Sequence, residues 1–195
     1  MRKIISIISL LLILLSAYLY SLKSIIWFNF AVFGFWFLFD SLAHWRGKKT
    51  TLDLLFNKPK KFAYLYLTLL VLAVLIELIG SLTLHLWSYP KLWAIKPVSL
   101  MLFINLLGYL CYPFILISFR EMYSFFSSLI NKPLAVIISM LIGILIWEIP
   151  NIYSQDWIYA VPYINFEIFH LNIVVIIGWV ILILGPDYFY QMNKI

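Results

Sequence analysis

The stretch ELIGSLTLHLWSYP, residues 77–90, places a carboxylate inside an apolar run that ends in an aromatic loop closed by proline. A second stretch, WEIPNIYSQDWIYAVP at residues 147–162, repeats this arrangement. The shared residues are Glu77, Trp87 and Tyr89 in the first stretch and Glu148, Trp157 and Tyr159 in the second. A carboxylate within a membrane helix is costly, and it usually faces the interior of the helix bundle. The two stretches therefore predict a polar site inside a helical membrane protein.

The composition of this 195-residue chain excludes an ordinary soluble domain. Hydrophobic residues make up 65% of it and charged residues 11%, whereas soluble domains carry about 25% charged residues. The net charge of +6 does not indicate a nucleic-acid partner, because the basic residues lie between apolar runs, where they set membrane topology. The single cysteine, Cys111, has no second cysteine to pair with. Membrane lipids are the expected surroundings, and neither a cofactor nor a metal is predicted.

Six apolar runs approach or exceed the length that a membrane-spanning helix needs. They cover residues 4–20, 25–43, 62–84, 98–118, 134–150 and 171–186. The first two runs are separated by a very short turn, so we expect an N-terminal helical hairpin within residues 1–45. The sequence therefore predicts an all-α integral membrane protein with six transmembrane helices in a single polytopic domain, residues 1–195.

The distribution of lysine and arginine predicts the orientation of these helices. With the N-terminus in the cytoplasm, eleven basic residues fall inside and three fall outside. The three outer residues are Lys23, Lys91 and Lys96. This bias predicts a multi-pass protein of the plasma (inner) membrane with both termini cytoplasmic, and it places both aromatic loops on the outer face.

One offset relates the two later parts of the chain. The Trp-x-Tyr sequences recur 70 residues apart, and so do two Gly-aromatic pairs, Gly108-Tyr109 and Gly178-Trp179. The two glutamates recur 71 residues apart. Residues 62–118 and 134–186 would run in the same direction. This predicts a parallel repeat of helices 3–4 and 5–6, with its axis along the membrane normal.

Glu77 is the leading candidate for a catalytic residue. Gly80 and Ser81 share its helix face at i+3 and i+4, which leaves space beside the carboxyl and offers it one hydroxyl. The carboxyl would then act as a proton donor or polar anchor in an outward-facing cavity, or alternatively as a structural hydrogen bond between helices. Glu148 is its expected catalytic partner, since two carboxyls in one dry site can divide the acid and base roles. The alternative for Glu148 is a carboxylate that reaches the lipid headgroups or bonds Asn151 or Tyr153.

Further residues are candidates for substrate contact. They are Ser81, His85, Trp87, Tyr89, Tyr109, Trp157, Tyr159 and Glu167. The aromatic members can form a lid over an apolar cavity, where cation–π attraction would stabilise positive charge in a polyene or prenyl chain. They can equally form an ordinary interfacial belt.

Other polar and small residues favour structural interpretations. Asp40 and His44 are four residues apart, and a salt bridge with Arg46 or the following lysines is favoured over a metal site. We expect Asp156 to be a solvated loop residue. The small residues Ala135, Ser139 and Gly143 recur at spacing four. They would allow close approach of another helix, including one from an oligomer or a partner protein.

The acidic residue, aromatic loop, proline and following helix resemble those of the small membrane-embedded carotenoid enzymes, namely the lycopene cyclase domain and the carotenoid hydratase type. The matching residues are Glu77, Trp87, Tyr89 and Pro90, then Glu148, Trp157, Tyr159, Pro162 and Glu167. The Pro-x-Glu-Glu signature of the lycopene cyclase domain is absent, because Pro97 is followed by Val98, Ser99 and Leu100. The resemblance implies acid-catalysed attack on a polyene double bond without a cofactor.

The sequence leaves three functions open. The first is a membrane protein that handles an apolar isoprenoid-like or lipid substrate in an outward-facing carboxylate and aromatic cavity, including acid–base catalysis of the cyclase or hydratase kind. The second is a small transporter or substrate-binding subunit that uses the same carboxylates. The third is a non-catalytic accessory or scaffold protein. Whether the protein is an enzyme stays open at this point.

Overall fold

The fold is helical, and its long helices follow the apolar runs. The computed structural model describes residues 2–161, 166–168 and 171–192. Its α-helices are α1 (Arg2–Ser21), α2 (Trp27–Trp45), α3 (Thr51–Asn57), α4 (Pro59–Glu77), α5 (Pro90–Trp93), α6 (Val98–Phe126), α7 (Lys132–Gly143), α8 (Ile149–Ser154) and α9 (Ile173–Met192). Its short strands are β1 (Trp87–Ser88), β2 (Ile158–Tyr159), β3 (Glu167–Ile168) and β4 (Leu171–Asn172). Strand β1 pairs with β2, and β3 pairs with β4, both in antiparallel fashion.

Within the described residues, five helical segments are long and apolar enough to cross a membrane. They are Arg2–Ser21, Pro59–Thr83, Val98–Phe126, Lys132–Ser154 and Ile173–Met192. These segments support the prediction of an all-α, multi-pass membrane protein. Helix α2 is the predicted span that is not among these five segments. It carries the polar residues Asn29, Asp40 and His44, and much of its length is buried inside the protein.

Helix α2 occupies the centre of the bundle, between α1 and α6. The Ser16 hydroxyl of α1 donates a hydrogen bond of 2.9 Å to the carbonyl of Trp27. Gly34 of α2 lies so close to α1 that a Cβ there would be 2.8 Å from the Ile13 side chain. This close approach requires glycine, and it packs the first two helices against each other as a pair.

Helix α6 extends eight residues beyond the predicted end at residue 118. The sequence indicated an end there because Arg120 and Glu121 are charged. Both side chains are buried, and the Arg120 Nη1 atom lies 2.7 Å from Glu121 Oε1. The charges neutralise each other, so the helix continues.

The short helix α3 is buried against the ends of α1, α2 and α6. Arg2 forms salt bridges with both Asp40 and Asp53, and the backbone N–H of Thr51 donates to Glu121 Oε1 at 2.9 Å. The predicted pairing of Asp40 with Arg46 is therefore wrong, because Arg2 reaches Asp40 from the start of α1. His44 lies 3.1 Å from Asp53. We call this polar region the α3 end of the bundle.

The stripe of small residues on α7 is buried within the chain. Ala135 and Ser139 are both 0% exposed, and Gly143 receives the indole ring of Trp179 from α9. The close approach that the stripe allows is therefore made to helices of the same chain.

Candidate functional site

Glu77 lies at the end of α4, where the helix changes to a π-helical segment, Leu78–Thr83. Its side chain is buried, and its carboxyl accepts hydrogen bonds from two residues of the following loop. Trp87 Nε1 donates to Oε1 at 3.1 Å and to Oε2 at 3.3 Å. The Tyr89 hydroxyl donates to Oε2 at 3.1 Å, and Ser81 lies on the same cavity wall as this carboxyl. The loop that follows the helix thus folds back onto the acid.

Glu148 ends the second π-helical segment, Ile144–Glu148, and is surrounded in the same way. The Tyr159 hydroxyl donates to Oε1 at 2.7 Å, and Trp157 Nε1 lies 3.4 Å from Oε2. Trp179 of α9 adds a third donor, with Nε1 3.2 Å from Oε1. Glu148 is only 2% exposed. The headgroup-facing alternative for Glu148 is therefore wrong, because the loop and α9 cover the carboxyl.

The π-helical geometry and two glycines make room for these indoles. A Cβ on Gly80 would lie 1.8 Å from Cη2 of Trp87, and one on Gly143 would lie 2.4 Å from Cζ3 of Trp179. Each glycine thus accepts an indole whose N–H reaches a carboxyl. Insertions of this π-helical kind are frequent at functional sites.

The two aromatic loops form one cover over the site. Strands β1 and β2 pair Trp87 with Tyr159 and Ser88 with Ile158. Lys91 Nζ lies 2.9 Å from Asp156 Oδ1, which joins the same loops by a salt bridge. Asp156 also accepts a 2.6 Å hydrogen bond from Trp27 Nε1 of α2. The prediction that Asp156 is solvated is wrong, because these contacts leave it only 7% exposed.

Below this cover lies a cavity of about 590 Å³, within the usual range for small-molecule sites. Both glutamates line it, and most of its remaining wall is apolar or aromatic. Gly108 and Gly178 lie on its wall, and a Cβ at either position would meet open space. The Tyr112 phenol lies on the same wall. The two acids thus share one cavity.

The phenols of the loops are donors to the acids. Burial raises the pKa of Tyr89 and that of Tyr159 well above the usual tyrosine value, and the neighbouring carboxyls act in the same direction. Both hydroxyls therefore stay protonated near neutral pH. An indole N–H donates a hydrogen bond and cannot accept one. The carboxyls are therefore surrounded by neutral donors.

The structure brings most of the sequence-derived candidates together around this cavity. Those that line it are Glu77, Glu148, Ser81, Trp87, Tyr89, Tyr109, Trp157 and Tyr159. His85 does not, because the helix has ended before it and its side chain is exposed, with a backbone φ of 51°. Glu167 is exposed in β3 and lies outside the cavity wall. Pro162 lies outside the described residues.

Sequence reasoning missed several cavity residues. Trp147, Tyr112 and Asn105 all line it, as does the single cysteine, Cys111. Trp147 directly precedes Glu148, and Tyr112 follows Tyr109 by three residues on the same helix, so helical spacing could have indicated Tyr112. The contact of Trp179 with Glu148 required the tertiary structure.

No family model, curated protein or solved structure matches the chain. The geometry of the cavity and the chemistry of the side chains around it are therefore the guide to function.

Proposed function

We propose that the cavity holds an apolar, isoprenoid-like or lipid substrate and that Glu77 and Glu148 act on it as an acid–base pair. The observation that carries this proposal is the enclosure of two carboxyls, each bonded to neutral donors, in one largely apolar cavity. An apolar substrate would fill the apolar part of the cavity, and the two carboxyls would exchange protons with it. The resemblance to carotenoid cyclases and hydratases points to the same class of reaction.

The partners of each carboxyl favour distinct roles. Indole N–H groups only donate, whereas hydroxyl groups also accept a hydrogen bond from a protonated carboxyl. Glu77 has one indole and one hydroxyl partner, while Glu148 has two indoles and one hydroxyl. Glu77 is therefore better suited to carry a proton, and Glu148 to remain ionised. We assign the acid role to Glu77 and the base role to Glu148.

The reaction would proceed without redox change. The Glu77 carboxyl transfers its proton to one carbon of a double bond, which leaves a cation on the other carbon. The Glu148 carboxylate then removes a proton from an adjacent carbon and a new double bond forms. One proton is gained and one is lost, so the product is an isomer, by double-bond shift or ring closure. Proton return from Glu148 to Glu77 through solvent completes the cycle.

The parallel repeat and the topology belong to the same proposal. Under the 70-residue offset Ser88 corresponds to Ile158, and these two residues pair with each other in the β1–β2 ladder. A pair of equivalent antiparallel strands centred on equivalent residues has a local two-fold axis. This register supports a repeat about an axis through the loops. The excess of basic residues at the α3 end supports a cytoplasmic location of both termini. In this topology the chain crosses the membrane six times, and the cavity opens toward the outer face.

The test combines ligand identification with turnover. Protein purified in neutral detergent should retain an apolar compound, detected by mass spectrometry of an organic extract, that Gly178→Leu loses because the added side chain fills the cavity. Incubation with lycopene, a linear polyene, should give an isomeric product by chromatography. Glu77→Gln should abolish that product, while Glu167→Gln, which removes an exposed carboxylate outside the cavity, should retain it. Equal turnover by wild type and Glu77→Gln would overturn the acid role.

A further inference from the structure

Among the described residues, no cation pairs with the two glutamates of the cavity. Three of the described residues on its wall are acidic: Glu77, Glu148 and Asp156. Asp156 is paired with Lys91. Among the described residues that form the wall there is no lysine, arginine or histidine, and the hydrogen-bond donors to both glutamates are neutral. A carboxylate in apolar surroundings without a counter-ion is unfavourable, so the ionised Glu148 attracts positive charge. A cation bound beside Glu148 would also favour the ionised form of Glu77.

The wall around the two carboxyls is suited to a cation that carries an apolar chain. The indoles and phenols that bind the carboxyls are accompanied by further rings, including Phe28 and Trp147, which pack edge to face with ring centroids 5.0 Å apart. Aromatic faces attract ammonium groups, and desolvation strengthens that attraction. Beyond the rings the wall is aliphatic, formed by Ile104, Ile115, Val175 and Leu182 among others. One end of the ligand would thus be cationic and the other apolar.

We propose that the cavity binds amphiphiles with a cationic ammonium group, which lies beside Glu77 and Glu148 while the hydrocarbon chain follows the aliphatic wall. This inference rests on the proposed function in using the same cavity, and it adds the charge of the ligand. A fatty acid or a lipid phosphate is disfavoured, because its anionic group would meet two carboxyls. The positive charge can be a permanent feature of the ligand, or it can arise on a neutral chain during proton transfer.

Cys111 provides a direct measurement of occupancy. It is the single cysteine of the chain and lines the cavity, so a bound ligand should shield its thiol. The protein in neutral detergent is treated with N-ethylmaleimide, and the fraction labelled is followed by intact-protein mass spectrometry. The cationic ligand is dodecyltrimethylammonium, and dodecanol is the neutral ligand with the same chain.

We expect dodecyltrimethylammonium to protect Cys111 at a concentration about tenfold or more below that needed for dodecanol. Glu77→Gln and Glu148→Gln should each weaken protection by the ammonium compound by about tenfold and leave dodecanol unchanged. Glu167→Gln is the matched control, since it removes an exposed carboxylate outside the cavity and should behave as wild type. Gly178→Leu fills part of the cavity without changing its charge, so it should reduce protection by both ligands.

The outcomes separate this inference from the proposed function. If dodecanol protects as well as the ammonium compound, or if neither glutamate variant changes the ammonium effect, the cation inference is wrong even where lycopene is converted. If the ammonium compound protects and depends on the glutamates while lycopene is neither bound nor converted, the inference stands with a permanently charged ligand, and acid–base chemistry on a hydrocarbon fails. If both hold, the charge arises during the reaction and the ammonium compound mimics it.

Discussion

Replacing Gly80 with alanine should displace the indole of Trp87 and destabilise the protein. The new Cβ would lie 1.8 Å from Cη2, whereas ordinary contact begins at 3.4 Å. The ring must therefore move by about 1.6 Å, since both atoms are carbon. That shift breaks the 3.1 Å hydrogen bond between Trp87 Nε1 and Glu77.

The magnitude follows from two costs and one gain. Overpacking costs about 1–3 kcal/mol, and loss of the hydrogen bond from the indole to the protonated carboxyl costs about 0.5–1.5 kcal/mol. The helix propensity of alanine returns up to about 1 kcal/mol. We expect the free energy of unfolding to fall by about 0.5–4.5 kcal/mol. Gly178→Ala is the matched control: its Cβ meets open space, so it should be neutral or stabilise by up to about 1 kcal/mol.

The assay is thermal unfolding in neutral detergent, followed by circular dichroism. Gly80→Ala should melt below wild type and Gly178→Ala at or above it. The double variant Gly80→Ala, Trp87→Ala supplies a further check. With the indole removed the Cβ has space, so the two costs should not add. The prediction is refuted if Gly80→Ala melts at the same temperature as Gly178→Ala. It is also refuted if the losses of stability from Gly80→Ala and Trp87→Ala add fully in the double variant.

Two further predictions concern the α3 end. Asp40→Asn should lower the free energy of unfolding by about 3–5 kcal/mol, because it removes one charge of a buried pair with Arg2; a loss no larger than that of Glu167→Asn in the same melting assay would contradict this. Asp53 should make stability depend on acid pH. Partial burial alone would raise the pKa of Asp53, but hydrogen bonds from Arg2, His44 and Thr50 outweigh it and hold the pKa below the usual 3.8. A carboxyl with a lowered pKa contributes stability above its unfolded pKa that is lost as pH falls through the folded pKa. The melting temperature should therefore fall as the pH is lowered through the folded-state pKa of Asp53. This fall should be smaller in Asp53→Asn. A fall of the same size in the variant would refute the role of Asp53.

The sequence predicts the apolar helices well because each run supplies its own lipid-facing surface, independent of its neighbours. It also indicates both glutamates and the Trp-x-Tyr loops, since a carboxylate in an apolar run is conspicuous. It does not predict that Arg2 reaches Asp40 or that Trp179 reaches Glu148. These contacts join residues 38 and 31 positions apart, and they depend on which helices pack together. The burial of Asp156 escaped prediction for the same reason, because its partners Trp27 and Lys91 lie in other parts of the chain.

The two ends of the bundle treat buried carboxylates in opposite ways. At the α3 end, Arg2 neutralises Asp40, and Arg120 lies 2.7 Å from Glu121 and 3.4 Å from Asp187. Charge balance of this kind holds helices together and leaves little attraction for a ligand. At the opposite end, beside the two aromatic loops, Glu77 and Glu148 have, within the described chain, only indole and phenol partners, and they face a cavity. A purely structural role would be served better by arginine, which the same chain uses elsewhere. The absence of such a partner beside an open space therefore favours a site in which the substrate supplies the positive charge.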